Sequence, residues 1–268
     1  MNNEKLPIAL TIAGSDSGGG AGIQADLKTF TAHKVYGASV ITAITAQNTR
    51  QVTAIFDVPT DIIDAQLKAV LSDIKVDAVK IGMLSSVEII KVVVDNLRAF
   101  GVKNIILDPV MVAKSGDTLL KQPAVSALIK YLLPISTLLT PNLPELAAIL
   151  GKEIKEDRAE LVNAGQEIME MGAKNILIKG GHSSRDILTD ILICGSGDVH
   201  YFENERIHTN NTHGTGCTLS SAIAADLAKG MSISAAVEDA VNWLQGAIRA
   251  NVKIGEGNSP VNHLYKDF

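Results

Sequence analysis

The segment Asn211-Thr212-His213-Gly214-Thr215-Gly216-Cys217 sets two glycines, a hydroxyl and a thiol directly before a helical pattern. In that pattern Leu219, Ile223 and Leu227 recur every fourth residue, and Gly230 stops it. A helix start leaves backbone N–H groups unpaired and carries partial positive charge, which suits an anion. Gly214 and Gly216 let the backbone come close to a ligand. Cys217 falls in the first turn, where the local field favours thiolate. The segment reads as a phosphate-stabilising loop ending in a polarisable group; a plain glycine turn with a buried cysteine is the alternative. Phosphoryl transfer needs a basic group on the moving phosphate, backbone donors, a metal and a placed nucleophile. Lys179, beside Gly180 and Gly181, can supply the first, and Gly214, Thr215 and Gly216 the second. Asp108 and Glu145 are the candidate carboxylates for magnesium or its waters. A helix cap or a salt bridge is the competing role for each of them.

These groups are far apart in the chain, so the elements between them must gather them. Apolar runs at Ile8–Ala13, Ser39–Thr45, Ala78–Ile81, Asn104–Leu107, Thr137–Leu139 and Asn175–Ile178 read as strands. Two more short strands are expected at Leu188–Cys194 and Val199–Phe202. Helical spacing runs from the first glycine loop to about His33, over Thr60–Ser72, after a Ser85 cap, up to about Leu133, from Pro144, near Arg158–Met171, and over Ser234–Ala250. Such alternation predicts a mostly parallel sheet with helices on both faces. With no linker, repeat or low-complexity break, residues 1–268 read as a single domain. Each strand ends at a glycine or a polar residue: Gly14 to Asp16, Gln47, Gly82, Asp108, Asn142 and Lys179. In open parallel sheets the ligand crevice lies beyond the carboxyl ends of the strands, so these residues are expected on one rim. The loop from Gly14 to Gly22 carries glycines but not the spacing of a dinucleotide fingerprint, and no P-loop pattern occurs anywhere. Both observations weigh against a dinucleotide oxidoreductase and a P-loop kinase.

The composition is that of an ordinary soluble protein. The 268 residues are 46% hydrophobic and 20% charged, with a net charge of −5, which offers no basic surface for nucleic acid or an acidic membrane. Two cysteines, Cys194 and Cys217, make no disulfide framework. The polar N-terminus lacks the apolar core of a signal peptide, and no apolar run approaches a membrane span. A cytoplasmic protein is expected. Cys194 reads as structural and Trp243 as core or interface. His33, His200 and His208 read as surface, whereas His182 and His213 border the site.

Beyond these separate readings, Gly14-Ser15-Asp16-Ser17-Gly18-Gly19-Gly20-Ala21-Gly22-Ile23-Gln24-Ala25-Asp26-Leu27-Lys28 resembles the N-terminal signature of the hydroxymethylpyrimidine/phosphomethylpyrimidine kinases of thiamine biosynthesis. Ala46-Gln47-Asn48-Thr49, Lys80-Ile81-Gly82-Met83, Asp108-Pro109-Val110-Met111, Thr140-Pro141-Asn142-Leu143-Pro144-Glu145, Lys179-Gly180-Gly181-His182 and the Asn211–Cys217 segment match that family in the same order. The tail Ser259-Pro260-Val261-Asn262-His263 is similar too, with Ser where the family has Gly. The resemblance spans nearly the whole chain. It implies the ribokinase-like fold, a three-layer α/β sandwich with a homodimer as the expected state, and two ATP-dependent steps aided by Mg²⁺. The first phosphorylates the hydroxymethyl group of 4-amino-5-hydroxymethyl-2-methylpyrimidine, and the second converts that monophosphate to the diphosphate.

By position the resemblance implies that Gln47 pairs with the aminopyrimidine edge, with Gly14, Asp26 and Met83 lining the same pocket. Lys179, Asn142, Glu145 and Asp108 would face ATP and its metal, and Gly214 to Cys217 would form the anion hole. Many ribokinase-like enzymes carry Asp where this chain, like the thiamine-pathway family, has Cys217. A thiolate there could take the substrate proton, or the residue could serve only within the anion hole. A thiol would also repel an incoming phosphate less than a fixed carboxylate. The closest rival on the same fold is a pyridoxine or pyridoxal kinase of vitamin B6 salvage; Gln47 and Met83 favour the pyrimidine. A binding module without turnover would need a lost catalytic residue, and none of Lys179, Gly214, Gly216 or Cys217 is missing.

Overall fold

The computed structural model describes residues 5–111, 122–181, 183, 185–250 and 252–266. Lys114-Ser115-Gly116 and His182, noted above, lie outside them.

Alternation along each strand divides its side chains between two cores. In β1 (Ile8–Asp16) Leu10 and Ile12 enter one core and Ala9 the other; in β4 (Ala78–Ile81) Val79 and Ile81 oppose Ala78. β5 (Ile105–Leu107) and β7 (Ile176–Ile178) split the same way, with Ile106 and Leu177 facing the second core. The first core is closed by α2 (Thr60–Asp73), α3 (Val87–Ala99), α4 (Gln122–Ala127), α5 (Leu143–Leu150) and α6 (Arg158–Glu170). The second is closed by α1 (Gly22–Ala32), α7 (Thr215–Ala228) and α8 (Ile233–Arg249). Helices therefore cover both faces of the sheet in three layers, as expected.

Among the described residues the sheet has nine strands in the order β3-β2-β1-β4-β5-β6-β7-β8-β9. The remaining strands are β2 (Tyr36–Gln47), β3 (Val52–Asp57), β6 (Leu138–Leu139), β8 (Ile187–Ile193) and β9 (Val199–Glu205). Strands β1, β2, β4, β5, β6 and β7 run parallel, while β3 at one end and β8 and β9 at the other pair antiparallel. The carboxyl ends of the six parallel strands share one edge. Backbone bonds step along it: Gly82 N–H donates to Ile12 O, Asp108 N–H to Ile81 O, Thr140 N–H to Leu107 O and Lys179 N–H to Pro141 O.

Helix α7 is buried at every residue from Thr218 to Leu227. Its small face, Ala222, Ala224 and Ala225, packs with Ala9 and Ala78 of the strands. Small residues on both sides bring the helix close to the sheet. Its interior polar residues are bonded: Thr218 to His263, Ser221 to Asp26, and Asp226 to His33 and Lys229.

Three expectations change. The cap of α3 is Ser86, whose Oγ accepts from Ile89 N–H at 3.2 Å, not Ser85. The helix expected to reach Leu133 leaves α geometry after Ala127, passing through a π turn (Leu128–Leu132) and a 3₁₀ turn (Leu133–Ile135). Pro134 lacks the N–H that a continuing α-helix needs. His33, expected at the surface, is buried with Nδ1 3.0 Å from Asp226. Trp243 is in the core against His33 and Tyr265. Among the described residues no helix is long and apolar enough to cross a membrane.

Candidate active site

The glycine loop after β1 folds around one carboxylate. Asp16 accepts N–H bonds from Gly18 at 2.8 Å, Ala21 at 2.9 Å and Gly20 at 3.0 Å. Burial alone would raise its pKa, but the His213 bond and the amides of Gly18 and Ala21 hold it below the ordinary carboxylate value. His213 Nε2 stands 3.0 Å from Asp16 Oδ2, which ties this loop to the Asn211–Cys217 segment. Gly214 completes the joint. Its φ is +76°, and a Cβ there would meet Gly20 O at 1.9 Å, so the two glycine loops interlock only because residue 214 has no side chain.

Lys179 leaves the tip of β7 with Nζ 2.7 Å from Asp108 Oδ1 and 3.7 Å from Glu145 Oε2. Asp108 also accepts from Thr140 Oγ1 at 3.2 Å. Burial pushes Asp108 up, yet Lys179 and Lys80 more than offset this and hold it below the ordinary value. Burial raises Glu145; Lys179 opposes this only in part, and the Asp108 charge reinforces it. Glu145 is at once a cap and an ion-pair partner. Its Oε2 accepts from Asn142 N–H at 2.8 Å, and its own N–H donates to Asn142 Oδ1 at 2.9 Å, a complete capping box on α5. The first turn of α7 faces this cluster, since a Cβ on Gly216 would lie 3.4 Å from Lys179 Nζ and 3.6 Å from Asp108 Oδ2.

Cys217 corrects an expectation. Burial pushes its thiol up to about 11; Lys80 and the Gly22 N–H work against this, and the charges of Asp26 and Asp108 add to it. The helix N-terminus does not make it a thiolate near neutral pH, because two buried carboxylates and desolvation outweigh the partial charge. Close to it lies a buried charge pair whose lysine had no role in the sequence analysis. Lys80 is fully buried in β4 and donates to both oxygens of Asp26, at 2.8 and 2.9 Å. Burial would lower its pKa, but Asp26 and the other nearby acids raise it, so the ammonium stays charged. Asp26 accepts further from Thr11 Oγ1 at 2.6 Å and Ser221 Oγ at 2.7 Å. Expected on the pocket wall, Asp26 is wholly buried, with both oxygens engaged. A lysine inside the otherwise apolar Ala-Val-Lys-Ile strand was the available signal.

On the far side of the edge, Gln47 ends β2. Its carboxamide is placed with Nε2 3.3 Å from His213 Nε2 and Oε1 3.2 Å from Thr45 Oγ1. Gly14 and Met83 are neighbours, since a Cβ on Gly14 would come 2.8 Å from Met83 Cε. Thr42 Oγ1 donates to Met83 O at 2.9 Å. The structure thus brings Gln47, His213, Gly214, Gly216, Cys217, Lys179, Asp108, Asn142 and Glu145 to one strand edge. Sequence reading placed His213 at the border of the site but missed Asp16 as the post it hangs on; an acid inside a glycine loop was the only hint.

The sequence matches the profile of a family described as phosphomethylpyrimidine kinase over residues 16–262. It is 55% identical, over 97% of both chains, to the hydroxymethylpyrimidine/phosphomethylpyrimidine kinase of Rhizobium meliloti. A solved phosphomethylpyrimidine kinase from Clostridium difficile is 48% identical with a TM-score of 0.81, covering 91% of this chain and 100% of that one. A pyridoxal kinase from Bacillus subtilis, solved as an ADP complex, is 37% identical with a TM-score of 0.91, covering 98% of this chain and 99% of that one.

Proposed function

We propose, from the premise that the chain belongs to the phosphomethylpyrimidine kinase family, that it moves the γ-phosphoryl group of ATP to 4-amino-5-hydroxymethyl-2-methylpyrimidine and then to the resulting monophosphate. The observation that carries this reading is the meeting, at one strand edge, of Lys179, the α7 N-terminus and the carboxamide of Gln47. One end of the site suits migrating negative charge, and the other suits a heteroaromatic edge.

Gln47 holds the ring while Gly14 and Met83 bound it. The hydroxymethyl oxygen then points at the first turn of α7. In transfer, that oxygen bonds to the γ-phosphorus, the bond from phosphorus to the β–γ bridging oxygen breaks, ADP leaves with that oxygen, and the hydroxyl proton passes to an oxygen of the transferred phosphoryl group or to water. The backbone N–H groups of Gly214 to Cys217 and the Lys179 ammonium receive the charge that spreads over the equatorial oxygens. Asp108 holds Lys179 on station, and Glu145 and Asn142 fix the start of α5 beside it. Asp108 and Glu145 offer the hard oxygen donors that magnesium takes, so the residues present fit it; when bound there, directly or through water, the ion supplies charge neutralisation to the phosphates. Asp26 shapes the pocket from below through Lys80, Thr11 and Ser221.

Cys217 serves as part of the anion hole and not as a strong base. Phosphoryl transfer has a loose transition state, in which the nucleophile's proton matters little until late. A neutral thiol adds no fixed charge against the anionic monophosphate of the second step. Turnover of ATP with the pyrimidine alcohol, its monophosphate and pyridoxine as separate acceptors tests the reading; phosphorylation of pyridoxine alone would overturn it. Two further features belong to this proposal. The free cysteines fit the reducing cytoplasm. The exposed Ile44, Ile55 and Phe56 at the β2–β3 sheet edge are where a homodimer contact would form.

A further inference from the structure

Among the described residues His213 Nε2 has two polar neighbours, Asp16 Oδ2 at 3.0 Å and, at 3.3 Å, the carboxamide atom of Gln47 that is assigned as nitrogen. Asp16 already takes three backbone N–H bonds and remains a carboxylate, which can only accept. Nε2 must therefore carry a hydrogen, whether the ring is neutral or charged. A nitrogen that points its hydrogen at Asp16 offers nothing to an amide N–H. The Gln47 atom facing it must then be the oxygen, and the NH₂ group must face Thr45. The two amide orientations differ only by a half-turn and are told apart by such bonding. Thr45 agrees with this choice: its Oγ1 donates to Ser15 O at 2.9 Å, so it has a lone pair free for the Gln47 NH₂ at 3.2 Å. With this orientation the Nε2 hydrogen, aimed at Asp16, is shared with the Gln47 oxygen beside it, and one NH₂ hydrogen meets Thr45 Oγ1 while the second is left for the ring; with the other, two N–H groups collide.

Resting on the kinase reading above, we propose that His213, held by Asp16, pins the Gln47 carboxamide in one orientation and so sets the ring edge that the pocket accepts. The pinned amide presents a carbonyl lone pair on the His213 side and an N–H on the Thr45 side. Its complement is a ring with a donor beside an acceptor, as a glutamine pairs with the amino and ring-nitrogen edge of adenine. In the aminopyrimidine, the donor is the 4-amino group, ring neighbour of the hydroxymethyl carbon, and the acceptor is N3, one atom farther away. His213 directly precedes Gly214 in the anion loop. The donor thus lies on the side where the hydroxymethyl group must point, and the pinned orientation matches the reactive pose. The 4-oxo analogue, with N3–H and a 4-carbonyl, reverses the pattern and meets like against like. His213 and Asp16 are positioning residues here; they act through Gln47.

The test compares calorimetric affinities for the 4-amino and 4-oxo pyrimidine alcohols, a readout that does not depend on turnover. The wild-type protein should favour the 4-amino ring strongly. In His213→Leu the amide is free to turn, and that preference should fall by about tenfold or more. His213→Gln, whose terminal N–H reaches the Nε2 position, should restore it. An unchanged preference in folded His213→Leu, or no rescue by His213→Gln, overturns the proposal. If His213→Leu fails to fold, ¹H–¹⁵N spectra of the wild-type imidazoles decide: a protonated Nε2 at pH 8 supports the pinning, and a bare one overturns it. Failure to phosphorylate either alcohol with the affinity preference intact would instead strike the kinase reading and leave the pinning in place.

Discussion

At the scale of the residue, Cys217 shows how burial can reverse what a position in a helix suggests. The first turn of α7 favours thiolate, yet desolvation, Asp26 and Asp108 hold the thiol near 11. Its alkylation rate should therefore be slow at pH 7.5 and still climb with pH beyond 9.5. A plateau reached by pH 8 would mean a thiolate and restore the base role. Cys217→Ala should then lower kcat by about tenfold or less in both steps, because the backbone donors remain. Cys217→Asp should harm the second step more than the first, since it places a carboxylate where a phosphate must enter. Equal losses would count against the charge argument. Lys179→Met should lower kcat/KM by about 10²–10³-fold, the size expected for a donor aimed at transition-state charge.

Elements decide whether those residues meet. Gly214 and Gly101 both have positive φ, +76° and +61°. A Cβ at 214 would strike Gly20 O, whereas at 101 nothing lies within 4 Å. Gly101→Ala should cost only the backbone term of about 1–2 kcal/mol and leave activity intact. Gly214→Ala should separate the two glycine loops and abolish turnover even where the fold survives, as circular dichroism and steady-state rates would show. The α5 cap carries a second prediction: Asn142→Ala should lower stability by about 1 kcal/mol in denaturant melts, through loss of the Glu145 N–H bond. The start of α5 was legible from Asn, Pro and Glu in sequence. The Ser85/Ser86 ambiguity was not, because either serine could cap and only the backbone turn chooses. The break after Ala127 was hidden by an apolar pattern that fits α, π and 3₁₀ turns alike.

For the whole molecule, the buried charge pair joins the sheet to two helices of one covering layer. Lys80 comes from β4, Asp26 from α1 and Ser221 from α7. Lys80→Met should destabilise by roughly 3–5 kcal/mol, because it strands a buried carboxylate; Lys80→Met with Asp26→Leu should recover much of that. Acid stability follows from His263, which is buried against Thr218 Oγ1 at 3.0 Å. Burial first, and the Lys28 charge second, lower its pKa to about 4. The unfolded chain then binds the extra proton between about pH 6.5 and 4, so stability present above 6.5 is lost as pH falls through that window. The loss is at most roughly 3 kcal/mol. His263→Gln should flatten the melting temperature against pH in this range, and an unchanged slope would refute the assignment.

By itself the sequence determined the layered α/β plan, the glycine loops and the rim of strand-end residues. Strand alternation, glycine and apolar periodicity are local properties, and a parallel sheet forces its carboxyl ends to one edge. Only the tertiary structure decided that Lys80 and Asp26 form a buried pair, that Cys217 stays a thiol, and that His213 stands between Asp16 and Gln47. Desolvation and hydrogen-bond polarity are set by which groups meet across 54, 166 and 197 residues of chain, and no local pattern carries that information.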